Sequence, residues 1–150
     1  MLTAREIMTT NTVTISPEAG IADAVKILLE RHFNGLPVVD AEGNLLGLIC
    51  QSDLVAQQKK LDLPSIFSLL DGYALFGASR TERDLDKITA LTVGQAMTTK
   101  LITGTPDTPL EDLATLMVKN KYYTVPIVVN GKVVGIVGKE DILRTLIHDL

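Results

Sequence analysis

Hydrophobic positions along the chain change period several times. Residues 12–15 are β-rich, and Ser16-Pro17 closes the run. Ile21, Val25 and Leu28 then recur at helical spacing with Ala24 beside them, while Asp23, Lys26 and Glu30 face away. This predicts a helix from Pro17-Glu18 to about Arg31, ended by Asn34-Gly35 because glycine is favoured just past a helix end. Two apolar strands follow, 36–39 and 45–50, joined as a hairpin through 40–44. A further helix is expected near Ser52, whose hydroxyl suits an N-cap.

The same pattern then recurs. A strand is expected at 101–103 and a helix at 106–120, with Leu110, Leu113, Ala114 and Met117 inward. Strands at 125–129 and 133–137 flank Asn130-Gly131, a strong hairpin signal. The last helix begins near Lys139 and carries Ile142, Leu143, Leu146 and Ile147. The copies align residue by residue at an offset of 89: Met8-Thr9-Thr10 with Met97-Thr98-Thr99, Pro17 with Pro106, Pro37 with Pro126. One residue drops out near Ala41 or Glu42, after which Gly47 matches Gly135 and Asp53 matches Asp141. A gap of one residue at a turn is what two copies of a folded unit tolerate. The organisation read here is repeat one at 1–58, an insert at 59–91 and repeat two at 92–150.

The insert carries Phe67, Tyr73 and Phe76 and two short helical patterns, 64–70 and 81–91. An apolar stretch of this kind must cover something: the main core, a ligand cleft or a second subunit. At 150 residues the chain can bury roughly 68–70% of its unfolded surface, so two repeats sharing one core are expected. Aliphatic residues dominate, with no Trp, which suits an α/β core. The net charge of −4 is interspersed, without a basic tract, which argues against nucleic acid as the main partner. Cys50 is the sole cysteine, so neither an intrachain disulfide nor a thiolate zinc cluster is expected. No apolar run is long enough to cross a bilayer, and a cytoplasmic protein is the default expectation.

Chemistry concentrates at the end of the third strand of each copy. Repeat one reads Gly47-Leu48-Ile49-Cys50-Gln51-Ser52-Asp53, and repeat two reads Gly135-Ile136-Val137-Gly138-Lys139-Glu140-Asp141. A helix start offers free N–H groups suited to phosphate, and a nearby carboxylate suits ribose hydroxyls. The plainer alternative is an acid that stabilises its own helix start. Gly47 and Gly135 equally well permit a bulge or a close backbone approach. No nucleophile–base pair, metal-ligand set or phosphate-binding glycine loop appears, so an enzyme is not expected.

The opening Met-Thr-Thr, the proline before each first helix, Gly35-Leu36-Pro37-Val38-Val39 with Thr124-Val125-Pro126-Ile127-Val128, and the two glycine-to-aspartate junctions occur twice in one order. In this the chain resembles a tandem pair of cystathionine-β-synthase-type (CBS) domains, a Bateman module of the stand-alone bacterial type. The resemblance implies two βαββα repeats (α/β, or α+β) about a pseudo-two-fold axis, with the helical insert between them. It implies clefts that take an adenosine-containing ligand such as AMP, ADP, ATP or S-adenosylmethionine, in the manner of an energy sensor. By the same resemblance Asp53 and Asp141 hold ribose. Cys50 and Gly138 stand where the family usually has a phosphate-binding Ser or Thr, with Ser52 or Lys139 as substitutes. Adenine would lie against Val13, Thr14, Gly35, Leu36 and Pro37, and against Ile102, Thr103, Thr124, Val125 and Pro126. A homodimer acting on a separate, unknown target protein follows, with no required cofactor, no metal and no membrane partner. The alternative is a ligand-free docking module that uses the aromatic insert.

Overall fold

The structure, a computed structural model, describes residues 1–61 and 91–148. The insert patterns expected at 64–70 and 81–91, with Phe67, Tyr73 and Phe76, lie outside the described residues except for Leu91. The first half runs α1 (Ala4–Ile7), α2 (Ile21–Arg31), β1 (Gly35–Val39), β2 (Leu45–Cys50) and α3 (Gln51–Leu61). The second runs α4 (Val93–Ala96), α5 (Leu110–Asn120), β3 (Thr124–Val129), β4 (Lys132–Gly138) and α6 (Lys139–His148).

Both hairpins form where the apolar runs and their turn signals put them. Gly35 faces Cys50 across β1 and β2, and Thr124 faces Gly138 across β3 and β4. Each carries an irregularity at the matching place, between Val38 and Val39 and between Ile127 and Val128. Asn130 and Gly131 have φ of 53° and 80°, as a two-residue hairpin turn requires. In the longer first turn the Asp40 carboxylate accepts N–H bonds from Asn44 (2.8 Å) and Glu42 (3.0 Å).

The expected first strands, 12–15 and 101–103, shrink to single parallel bridges, Ile15 with Val38 and Gly104 with Ile127. The cause is Pro37 and Pro126. The Ile15 N–H donates to the Pro37 carbonyl (3.0 Å), and the Ile15 carbonyl accepts in return from the Val39 N–H (3.0 Å). The next parallel rung would need an N–H from Pro37, which proline lacks. Gly104 does the same between Pro126 and Val128 (3.0 and 2.9 Å), and Pro126 ends that ladder. Val13 and Ile102 are thereby left beside the sheet rather than in it.

Both long helices start later than expected, at Ile21 and Leu110 rather than at Pro17 and Pro106. Their leading residues serve another purpose: the carbonyls of Pro17 and Pro106 accept from the N–H groups of Gly94 and Arg5, each at 2.9 Å. Their ends differ too. His32 and Lys121, not Gly35, take the left-handed cap conformation, with φ of 55° and 57°. Gly35 is the first residue of β1.

These contacts cross between halves. α1 docks on the second half, where Ala4 N–H donates to the Thr108 carbonyl (2.8 Å) and Thr9 exchanges two hydrogen bonds with Ile136 (2.9 and 3.0 Å). α4 docks on the first half, where Val93 N–H donates to Ala19 (2.8 Å) and Thr98 exchanges two with Leu48 (2.9 and 3.0 Å). The burial follows the same exchange. One core holds Ile21, Val25, Leu28, Leu36, Val38, Ile49 and Leu54 together with Val93 and Ala96. The other holds Leu113, Met117, Val125, Ile127 and Val137 together with Ala4. The single shared core expected from chain length is therefore two cores, each completed by the other half's leading segment. Gly47 and Gly135 are the points of closest approach: an added Cβ would lie 2.6 Å from Met97 Sδ at the first and 2.5 Å from Met8 Sδ at the second. The repeated Met-Thr-Thr is thus the crossing segment itself.

Candidate functional site

The two glycine-to-aspartate junctions have the same local geometry. Asp53 Oδ2 accepts the Cys50 N–H at 2.7 Å, and Asp141 Oδ2 accepts the Gly138 N–H at 2.7 Å. Each carboxylate therefore caps its own helix, the return half of a capping box. Ser52 does not cap: α3 begins at Gln51, and Ser52 is an exposed residue of its first turn, outside both clefts described below.

The second oxygens differ. Asp53 Oδ1 accepts from the Thr98 hydroxyl at 2.6 Å, a residue delivered by the crossing segment. Asp141 Oδ1 accepts from Arg144 Nη2 at 2.9 Å. Arg144 has no basic counterpart in the first half, where the aligned residue is Ala56.

Two clefts lie at matching places, and they are unequal. The larger encloses about 650 Å³, its mouth included. Thr12, Val13, Phe33 and Gly35 form one wall, and Gly138, Lys139, Asp141 and Arg144 form the facing one. Thr9 and Asn11 of the crossing segment close its floor with Ile136 and Thr124. The smaller encloses about 210 Å³ between Leu48, Thr98, Lys100, Leu101, Ile102, Tyr122 and Thr124. Leu101 and Tyr122 stand where the larger cleft has Thr12 and Phe33, and Asp53 does not line it.

The two halves also differ at two aligned strand positions. Gly35 aligns with Thr124, and Gly138 with Cys50. Both glycines line the larger cleft; of their counterparts, Thr124 lines both clefts and Cys50 lines neither. A Cβ on Gly35 would lie 2.9 Å from Cys50 Sγ and 3.5 Å from Thr124 Oγ1, so that space is already taken. Burial, and secondarily the Asp53 charge, push the Cys50 thiol up to about 12, so it stays a neutral apolar group.

Of the residues singled out from the sequence, Val13, Gly35, Thr124, Gly138, Lys139 and Asp141 come together in the larger cleft. Ile102 lines the smaller. Thr14 instead lines a separate, more open groove with Ser16 and Asp40, and exposed Thr103 lines neither cleft. Leu36 and Val125 are enclosed in the cores, and Pro37 and Pro126 are buried in their strands, so none of the four lines either cleft. Sequence reasoning missed Thr9, Asn11, His32, Phe33 and Arg144. For Arg144 a signal existed, the mismatch with Ala56 in an otherwise matched helix start. Among the described residues, no group of three His, Cys, Asp or Glu is placed to hold a metal ion, and no helix is long and apolar enough to cross a membrane.

Two hairpin-and-helix units that exchange leading segments, with a cleft on either side of a pseudo-two-fold axis, define a paired-repeat module. The model of the CBS domain matches residues 4–60 and 93–148, and the chain belongs to that family. It is 30% identical over 145 residues to the uncharacterized protein MJ1426 of Methanocaldococcus jannaschii, covering 90% of this chain and 86% of that one. Other relatives are longer: the chain spans 58% of the chloroplastic CBS domain-containing protein CBSX2 of Arabidopsis thaliana, at 28% identity. Among solved structures, CBSX2 in complex with AMP superposes with a TM-score of 0.75 at 26% identity, covering 99% of this chain and 98% of that one. The CBS domain pair of MJ0100 in complex with 5′-methylthioadenosine and S-adenosyl-L-methionine superposes at 0.73 and 26%, covering 100% and 99%.

Proposed function

We propose that this chain is a regulatory module that takes an adenosine-containing ligand in the Asp141 cleft and acts on a separate protein. The observation that carries the reading is the unfinished sheet edge inside that cleft. Pro37 ends the parallel ladder, so Val13 forms no rung with β1, and Val13 and Gly35 both line the cleft. An adenine edge, with its neighbouring donor and acceptor, matches an open peptide edge. Phe33, Val13 and Ile136 supply apolar contact for the ring, and Asp141 lies on the opposite wall for ribose hydroxyls. The AMP bound to CBSX2 and the methylthioadenosine and S-adenosylmethionine bound to the MJ0100 pair support the ligand class. Such a role is binding rather than turnover, with the ligand as effector and not as a required cofactor.

In this reading the module pairs with a second copy of itself. Leu143, Leu146 and Ile147 of α6 are each more than half exposed and form an apolar strip suited to a second copy.

Calorimetric titration with AMP of the wild type, Asp141→Ala and Asp53→Ala tests the cleft assignment. Binding should survive Asp53→Ala and fall at least tenfold in Asp141→Ala. Ligand at 100 times its dissociation constant adds about 2.7 kcal/mol, which for this size raises Tm by roughly 5–11 °C. No shift with millimolar AMP, ADP, ATP or S-adenosylmethionine refutes the reading. Native mass spectrometry of the purified protein reports carried-over nucleotide and subunit count together.

A further inference from the structure

We infer that Arg144 makes the larger cleft selective for a phosphorylated adenosine over the uncharged nucleoside, by exchanging Asp141 for the phosphate. The inference rests on the adenosine reading above and names the ligand class within it.

Asp141 has one oxygen committed to the Gly138 N–H and the other covered by Arg144. The carboxylate side chain is 13% exposed and the arginine 57%. The acid is therefore fixed, while its cover is a long side chain free to swing into the cleft. A ribose hydroxyl reaching Oδ1 must compete with a guanidinium already donating there. An uncharged ligand offers that guanidinium nothing in return. A phosphate offers it two oxygens in the fork geometry that a single carboxylate oxygen does not. Arrival of the phosphate then frees Oδ1 for the ribose, so the two contacts reinforce each other.

The other charges at the cleft do not substitute for this arrangement. Lys139 sits over the Tyr123 ring at 5.4 Å, and Glu140 is its acidic neighbour. His32 lies on the far wall, at the end of α2. The first half lacks the device altogether: Asp53 is covered by a neutral hydroxyl, and Ala56 replaces the arginine.

Calorimetric titration with AMP and with adenosine, on wild type, Arg144→Ala and Arg144→Lys, tests the inference. The wild type should bind AMP at least about tenfold tighter than adenosine, the scale of one hydrogen bond between charged groups. Arg144→Ala should lose that preference, weakening AMP about tenfold or more while leaving adenosine unchanged or tighter. Arg144→Lys, which keeps the charge without the fork, should retain part of the preference. Equal loss of both ligands in Arg144→Ala, or no AMP preference in the wild type, overturns the exchange and leaves the adenosine cleft standing. Failure of the wild type to bind either ligand overturns both.

Discussion

Replacing Gly47 by alanine should cost distinctly more stability than the same change at Gly135, although the two positions are equivalent in the repeat. At Gly47 the new methyl would lie 2.6 Å from Met97 Sδ and 2.9 Å from the Thr98 carbonyl oxygen. The sulfur can move, because a methionine side chain has three rotatable bonds. The carbonyl cannot move freely, since it accepts from the Leu48 N–H at 3.0 Å and its own residue donates back at 2.9 Å. At Gly135 the three nearest atoms, at 2.5, 2.9 and 3.2 Å, all belong to the Met8 side chain. Overpacking against fixed structure costs about 1–3 kcal/mol, whereas moving a side chain off its preferred rotamer costs roughly 0.5–1.5 kcal/mol. Both changes stiffen the unfolded chain by a similar amount, so the difference between them is the clean quantity. Urea unfolding followed by circular dichroism measures it. With a slope of about 2 kcal/mol per M, Gly47→Ala should lower the midpoint by about 1 M and Gly135→Ala by less than about 0.5 M. Against a Met8→Ala background Gly135→Ala should become nearly neutral, while Met97→Ala should leave part of the Gly47→Ala cost in place. Equal midpoints for the two single variants, or complete relief by Met97→Ala, would refute the account of the crossing.

Two further outcomes follow from side chains described above. The Cys50 thiol, held near 12 by burial, should react with iodoacetamide at pH 8 on the order of a thousandfold more slowly than in denatured chain; stoichiometric labelling of the native protein within minutes would contradict this. Lys121→Gly should raise stability by about 0.5–1 kcal/mol, because an L-residue is strained in the left-handed cap it occupies at φ 57°, and a lowered Tm would count against it.

Much of the fold is written in local pattern. The hairpin strands follow from their apolar runs and from Asn130-Gly131, and the burial of Ile21, Val25 and Leu28 follows from their helical spacing. What local pattern does not carry is the effect of one residue on a distant partner. Residues 12–15 have strand chemistry, yet they pair only at Ile15, because the missing N–H belongs to Pro37 on another segment. The leading residues of α2 look helical, but their carbonyls answer to Gly94. The candidate site divides in the same way. Asp141, Gly138 and Lys139 were legible because they form one contiguous junction. Thr9 and Asn11 were not, since only the crossing of α1 to the second half brings them there, and neither was Phe33, which sits in the short connection between α2 and β1.

The crossing also bears on how such a chain arises. A single copy could not complete its core, because the residues that finish it, Ala4 in one case and Val93 in the other, belong to the opposite half. Two separate copies would have to lend each other that segment, as domain-swapped partners do. Fusing them into one polypeptide turns an assembly of identical parts into one whose parts are inherited separately. Identical copies would give identical clefts. Once fused, glycine at 35 and 138 is compatible with Thr124 and Cys50 opposite, and Arg144 with Ala56. Tandem duplication is therefore what allows two clefts of common origin to differ residue by residue.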